Sequence, residues 1–124
     1  RVLEVLLASI SLETGGRAAC IHMQGAFTTA TSCEKDLVLC TPIDEAGKKN
    51  LGKIIIVDPD DDNPDDFLRQ TAEALKMGGN KCVVIRGHGA YCVGEDLDDA
   101  WANAAMLEHS MKIVLLARQA NLKI

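Results

Sequence analysis

The sequence contains few aromatic residues, no long apolar run and no excess of basic residues. Aromatic side chains make up 3% of its 124 residues, and its formal net charge is -5. Because no apolar stretch reaches membrane-spanning length and no secretory signal is visible, we expect no association with a membrane. The absence of a basic face argues against nucleic-acid binding. These absences favour a protein that acts on small molecules or on other proteins.

The cysteines follow neither a disulfide nor a zinc-finger spacing. There are five of them, an odd number, and none form a C-x-x-C pair. Cys20, Cys82 and Cys92 lie in apolar runs, where a thiol behaves as a small core residue. This usage indicates a reducing, cytoplasmic compartment and leaves a zinc–thiolate site as the weaker alternative.

The bulk composition predicts a single domain over residues 1–124. Hydrophobic residues make up 48% of the chain, which is enough to fill one core. The chain begins with Arg1 rather than methionine, so we expect it to be a piece of a longer protein that lacks its N-terminal segment.

The apolar patterning predicts alternating helices and strands. Helices are predicted over 2–13, 28–32, 64–77 and 95–121, strands over 18–27, 35–43, 53–58, 82–87 and 90–94, and a polar loop over 44–53. Leu3, Leu6, Leu7 and Ile10 are predicted to face the core from the first helix. The last helix is predicted to carry a core stripe made of Leu97, Trp101, Ala104, Leu107, Met111, Val114 and Leu115.

The acidic segment 58–66 lacks the glycine and distal glutamate of a calcium loop. We therefore interpret it as a solvated loop whose Asn63 caps the helix that begins at Pro64.

Two histidines occupy positions that suit a functional site. His88 lies between two glycines where an apolar strand ends, so the backbone there can approach a ligand closely. The alternative is a turn histidine in a glycine-rich hairpin. His22 lies within a predicted strand and shares one face with Gln24, two residues on. The alternative for His22 is a hydrogen-bonded core histidine, and we interpret His109, in the last helix, as a structural or interface residue.

Two segments of the chain resemble the class II aldolase/adducin family, which includes fuculose-phosphate aldolase. VVIRGHGAYCVGEDLDDAWANAAMLEHSMKIVLLAR is similar to the strand, His-Gly turn, strand and helix of that family, and AACIHMQGAFTTATS is similar to its H-x-H segment. The resemblance implies an α/β fold with three α/β/α layers and a largely antiparallel central sheet.

The resemblance also implies a metal site and a catalytic acid. The family binds a divalent metal, typically zinc, through three histidines, and the matching positions here are His22, Gln24 and His88. Glutamine at the second position favours weaker zinc binding, a harder ion such as manganese, or loss of the metal. Glu4 matches the glutamate that serves these aldolases as acid/base, although it also suits a structural acid in the first turn of a helix.

The activity implied is the retro-aldol cleavage of a C–C bond in a phosphorylated sugar or related hydroxyketone. The metal would stabilise the enediolate formed in this step, and no organic cofactor is needed. The family commonly forms a tetramer, so a homo-oligomer is expected. The alternatives are a non-catalytic, adducin-like interaction domain and a metal-dependent decarboxylase or dehydratase on the same fold.

Overall fold

The structure is a computed structural model that describes residues 2–124, the side chain of residue 13 excepted. In chain order its elements are α1 (Val2–Thr14), β1 (Ala19–Met23), α2 (Ala26–Ser32), α3 (Glu45–Asn50), β2 (Ile56–Val57), α4 (Pro64–Met77), β3 (Cys82–Ile85), β4 (Gly89–Gly94) and α5 (Leu97–Gln119). Within these residues, no helix has both the length and the apolar character needed to cross a membrane.

The four strands form one mixed sheet in the order β1-β4-β3-β2. β4 pairs antiparallel with β1 on one side and with β3 on the other, whereas β2 pairs parallel with β3. Two of the three pairings are therefore antiparallel, which confirms the predicted largely antiparallel sheet. The parallel edge formed by β2 was not predicted and makes the sheet mixed.

Each face of the sheet is covered by helices, so the fold has the three layers expected. Side chains alternate along a strand, and in β3 the pair Cys82 and Val84 contributes to one apolar cluster while Val83 and Ile85 contribute to the other. The first cluster includes Leu107 and other residues of α5, and the second includes residues of α1 and α4. This two-sided burial explains why the strand is apolar at every position.

The segment between α2 and β2 differs from the prediction. The strand predicted over 35–43 is reduced to one isolated bridge between Leu39 and Ile55. Two features shorten it: Asp36 has a left-handed backbone with φ of 66°, and the Leu37 carbonyl accepts from the Arg86 guanidinium. Val38 and Cys40 still exchange backbone hydrogen bonds with Ile56 and Ile54. The strand predicted over 53–58 correspondingly shortens to Ile56–Val57.

Helix boundaries explain three further differences. The polar loop predicted over 44–53 contains α3, whose first turn is capped by the Asp44 carboxylate accepting from the Gly47 amide at 3.0 Å. β1 ends at Met23 rather than near residue 27, because α2 begins at Ala26. The side chain of Asn63 makes no capping hydrogen bond, although Pro64 does occupy the first turn of α4 as predicted.

The core residues predicted for α5 and α1 are correct in the middle of each helix and wrong near its start. In α5, Leu107 and Met111 are buried as predicted, but Leu97 and Trp101 are 66% and 67% exposed. The buried positions near the start of α5 are Ala104, as predicted, and the small or polar residues Ala100 and Asn103, which the prediction missed. In α1, Leu6 and Ile10 are buried, whereas Leu3 is 40% exposed. The predicted apolar stripe of α5 was therefore wrong at Leu97 and Trp101.

Substitutions on the two sides of α5 should separate core packing from surface exposure. We expect Leu107→Ala to lower the free energy of unfolding by about 2–5 kcal/mol, because this fully buried side chain would leave a cavity. Leu116→Ala removes the same atoms from a side chain that is 52% exposed and should change it by no more than about 0.5 kcal/mol. Urea denaturation followed by circular dichroism measures both, and equal losses would contradict this packing.

Candidate active site

The fold brings His22 and His88 into contact although they are far apart in the sequence. Their ring centroids are 4.9 Å apart, and the ring planes are inclined by 23°. His22 lies on β1 opposite Tyr91 of β4, and His88 lies in the turn that joins β3 to β4. The antiparallel pairing of β1 with β4 therefore places the turn beside the histidine of the neighbouring strand.

His22 is held in one orientation and one tautomer. Its Nδ1 lies 3.2 Å from the carbonyl oxygen of Ala90, and because a carbonyl can only accept, Nδ1 carries the proton and Nε2 is left with its lone pair. The Tyr91 ring packs against the imidazole with centroids 4.6 Å apart. Burial lowers the pKa of His22 below the ordinary 6.5, and the nearby His88 lowers it further, while the Ala90 hydrogen bond opposes both. A neutral imidazole with an available Nε2 is the form that binds metals.

The two positions that flank His88 need glycine for different structural reasons. Gly87 has a left-handed backbone with φ of 70°, and Gly89 has φ of 142°. In addition, a Cβ at Gly89 would collide with the carbonyl oxygen of Met23 on β1. The turn is closed by the His88 amide donating to the Ile85 carbonyl at 3.0 Å. Glycine is therefore required on both sides of His88, for conformation at Gly87 and for close strand approach at Gly89.

His88 is exposed and borders two cavities. The larger, of about 500 Å³, is lined by Gln24, Ala26, Thr29, Ala30, Cys33, Gly87 and His88. The smaller, of about 120 Å³, is lined by Pro59, Asp60, Asp61, Phe67, Ile85, His88 and Tyr91. We name the larger cavity the α2 cleft, because α2 contributes three of its lining residues, more than any other element. Gln24 and His88 thus face the same open space, as a shared ligand would require.

Glu4 does not reach either of the two cavities that border His88. It is an exposed residue of the first turn of α1. Among residues 2–124, no group of three or more histidine, cysteine, aspartate or glutamate side chains gathers as a metal site. The catalytic role of Glu4 stays a prediction, and Gln24, which lines the same cavity as His88, is the candidate for a third donor.

Three cysteines, Cys20, Cys40 and Cys82, contribute thiols rather than thiolates. Burial raises the pKa of both Cys20 and Cys40 to about 12. The pKa of Cys82 is also raised, first by its hydrogen bond with Cys92 and then by burial. A thiol that stays protonated at neutral pH is a poor metal ligand and nucleophile, so these cysteines serve as small core residues.

Sequence patterns did not reveal two side chains that hold the site segments together. Glu108 of α5 accepts hydrogen bonds from the amides of Phe27 and Thr28 at the start of α2, at 3.1 and 2.9 Å. Arg86 donates to the carbonyls of Ser32, Glu34 and Leu37 and pairs with Asp58. Both contacts join parts of the chain that lie dozens of residues apart. One indication was visible in the sequence: Arg86 is a charged residue that directly follows the apolar strand β3.

The residues around the histidine pair fit a divalent cation of borderline softness. Two imidazole nitrogens and one amide oxygen are donors that zinc accepts, and the carbonyl that fixes the His22 tautomer is the kind of outer hydrogen bond that metal-binding histidines make. His22, His88 and Gln24 are the residues that would hold it.

Comparison with known proteins identifies the family. The sequence profile described as "Class II Aldolase and Adducin N-terminal domain" matches residues 13–115. The chain belongs to this family. Class II aldolases in general depend on a divalent metal. The matched range includes His22, His88, the whole of the segment AACIHMQGAFTTATS and all but the last three residues of the other segment that carries the resemblance.

Individual relatives agree with this assignment. The chain is 31% identical over 99 residues to the L-fuculose phosphate aldolase of Methanocaldococcus jannaschii, an alignment that covers 79% of this chain and 51% of that protein. The structure of l-fuculose-1-phosphate aldolase from Thermus thermophilus superposes with a TM-score of 0.76 at 28% identity, over 98% of this chain and 63% of that one. YgbL from Klebsiella pneumoniae shares the fold, with a TM-score of 0.74 at 20% identity, over 92% of this chain and 56% of that one. The chain therefore spans about half of the curated relative it matches.

Titration of the metal-free protein tests the geometry of the histidine pair. We expect the pKa of His22 to lie below 6.5. In His88→Ala the pKa of His22 should rise, because the neighbouring imidazole is removed, although burial still keeps it below the ordinary value. The Cε1–Hε1 NMR signals measure this, and His109→Ala, which removes an exposed histidine of α5, is the control. The pKa of His22 is lower in the folded state than in the unfolded state, so below about pH 6.5 the unfolded state binds more protons. The contribution of His22 to the free energy of unfolding is therefore lost as pH falls below about 6.5. A midpoint at or above 6.5 would contradict the arrangement.

Proposed function

We propose that the protein is a metal-dependent aldolase that cleaves a C–C bond in a phosphorylated sugar or a related hydroxyketone. The contact between His22 and His88 at 4.9 Å carries this proposal, because the family ligand positions that retain histidine are the ones that meet. The L-fuculose phosphate aldolase relative supports a sugar phosphate as the class of substrate.

In this proposal, His22, Gln24 and His88 hold the metal at the mouth of the α2 cleft. Zinc suits the two imidazoles best, and manganese becomes competitive because the third donor is an amide oxygen. When bound, a divalent cation supplies Lewis acidity that stabilises the negative charge developing on the substrate oxygens during C–C cleavage. The Ala90 carbonyl keeps the Nε2 of His22 available, and the low pKa of His22 keeps the ring neutral at physiological pH.

The chain must also supply binding and proton transfer. The α2 cleft, at about 500 Å³, has room for a substrate of sugar size, and its wall includes the polar Gln24 and Thr29. We assign the acid/base role on the carbanion side to Glu4, from its match to the family glutamate. Because Glu4 is exposed and lies in the first turn of α1, this role requires the site to be completed around it.

A homo-oligomer, a tetramer as is common in the family, would provide that completion. Large apolar side chains are exposed along one helix, among them Leu97 at 66% and Trp101 at 67% of α5. Such side chains are typical of surfaces buried between subunits. A cytoplasmic location agrees with the free thiols of all five cysteines.

The alternative function is a non-catalytic interaction domain of the adducin type. The observation that favours it is the donor set, because only two histidines meet and no third histidine, cysteine or carboxylate among residues 2–124 joins them. A decarboxylase or dehydratase that uses the same metal chemistry differs from the aldolase only in its substrate, so a substrate panel separates them.

Metal content of the purified protein is the first test. We expect about one equivalent of zinc or manganese in the wild type, and a loss of affinity of more than about 100-fold in His22→Ala and in His88→Ala, since each removes a direct ligand. His109→Ala, which removes an exposed histidine elsewhere on the surface, is the matched control. Plasma mass spectrometry and competition with a chelator measure both. Equal metal content in all four proteins would refute the metal site.

The loaded protein should then cleave a ketose 1-phosphate to dihydroxyacetone phosphate and an aldehyde. A panel of such sugars, assayed by a coupled reduction of dihydroxyacetone phosphate, measures this, with His88→Ala as the inactive control. Turnover of no ketose phosphate by metal-loaded protein would refute the aldolase and favour the decarboxylase or dehydratase.

The donor at position 24 gives an independent test. Replacing Gln24, which faces the same cleft as His88, by histidine supplies an imidazole in place of an amide oxygen. We expect Gln24→His to raise zinc affinity by about tenfold or more, about 1.4 kcal/mol, because zinc prefers nitrogen donors. Isothermal titration calorimetry measures the change, and Gln70→His, at an exposed position of α4, is the control. Unchanged zinc affinity would remove residue 24 from the ligand set.

A further inference from the structure

The short helix α2 connects the two segments that carry the candidate ligands. Its first residue, Ala26, follows Gln24 by two positions, and its last residue, Ser32, contacts Gly87, the residue before His88. We propose that Glu108 and Ser32 are positioning residues that fix the two ends of α2, and thereby set the spacing between Gln24, His22 and His88. This inference rests on the metal site of the proposed function and adds two residues that do not themselves contact the metal.

At the C-terminal end of α2, Ser32 joins the helix to the His88 turn. Its side chain is fully buried, donates to the Thr29 carbonyl at 2.7 Å and accepts from the Gly87 amide at 2.9 Å. Arg86 adds a second link, since its Nη1 donates to the Ser32 carbonyl at 2.9 Å. The backbone immediately before His88 is therefore bonded to α2 from two directions.

At the N-terminal end, Glu108 holds the segment that leaves β1. Its carboxylate accepts from the amides of Phe27 and Thr28 and from the Thr28 hydroxyl, the last at 2.8 Å. These amides are among the donors that a helix leaves unsatisfied in its first turn, so a carboxylate there also complements the helix dipole. Gly25 makes room for it, because a Cβ at that position would collide with the Glu108 carboxylate.

Glu108 projects from a part of α5 that is packed on the sheet. Its neighbour Leu107 is fully buried in the cluster that covers this face. α2 has seven residues and spans about 10 Å along its axis. With one end bonded to α5 and the other to the His88 turn, this length sets the width of the cleft that Gln24 and His88 share.

The test compares two buried hydroxyls of the same helix. Thr31, 2% exposed, donates to the Phe27 carbonyl within α2 rather than to the His88 turn, so Thr31→Val is the matched control for Ser32→Ala. We expect Ser32→Ala to weaken binding of Co²⁺ by about 10- to 100-fold, the range typical of groups that orient ligands, and Thr31→Val to change it by less than about twofold. Cobalt absorption spectra measure affinity and coordination, and urea denaturation measures the stability of each variant.

A second pair of variants covers the other end of α2. Glu108→Gln keeps the shape but loses the charge and one acceptor, so we expect it to weaken Co²⁺ binding, whereas Glu73→Gln, at an exposed position of α4, should not. If Ser32→Ala does not fold, this pair decides the question. Unchanged Co²⁺ affinity in folded Ser32→Ala and Glu108→Gln would overturn the proposal, since a purely structural role lowers stability alone.

A readout without metal separates this inference from the proposed function. In the metal-free protein, Ser32→Ala should move the Cε1–Hε1 signals of His88 and His22, whose rings lie in contact, while Thr31→Val should leave them in place. If the wild type binds no Co²⁺ but these signals move, the metal-dependent function fails and the positioning of the histidine pair stands. If the wild type binds Co²⁺ and the signals do not move, the positioning role fails alone.

Discussion

The register between β1 and β4 determines where the candidate site lies. This antiparallel pairing sets His22 opposite Tyr91 and Met23 opposite Ala90, and Ala90 follows His88 by two residues. A shift of one residue would turn His22 to the other face of the sheet and separate the two rings. The close approach of Gly89 to the Met23 carbonyl helps to exclude such a shift, because it requires this alignment and tolerates no side chain. The same pairing therefore defines the sheet, the turn and the histidine contact.

The sequence was sufficient to predict alternating helices and strands and to single out the two histidines that meet in the structure. The family resemblance implied the largely antiparallel sheet with its covering helices, and local patterns drew attention to His22 and His88: alternation along β1, and glycines around a histidine at the end of β3. The structure brings the two rings together, and their role as metal ligands stays a prediction.

What could not be predicted depends on contacts between distant segments. The segment 35–43 has the composition of a strand, but its Leu37 carbonyl accepts from the distant Arg86 guanidinium, while Val38 and Cys40 bond to residues 54–56. Glu108 and Ser32 belong to ordinary helical sequences, and their roles exist only because α5, α2 and the His88 turn meet in space. Near the start of α5 the buried residues are Ala100, Asn103 and Ala104, so the apolar stripe that placed Trp101 in the core was wrong there.

The burial of β3 on both faces couples the two halves of the molecule. Its residues Cys82–Ile85 are at most 2% exposed and alternate between the cluster under α5 and the cluster under α1 and α4. Neither helical layer can detach without uncovering side chains of the strand that the other layer also needs in place. We therefore infer that the chain loses both layers in one cooperative transition, without a stable half-folded intermediate.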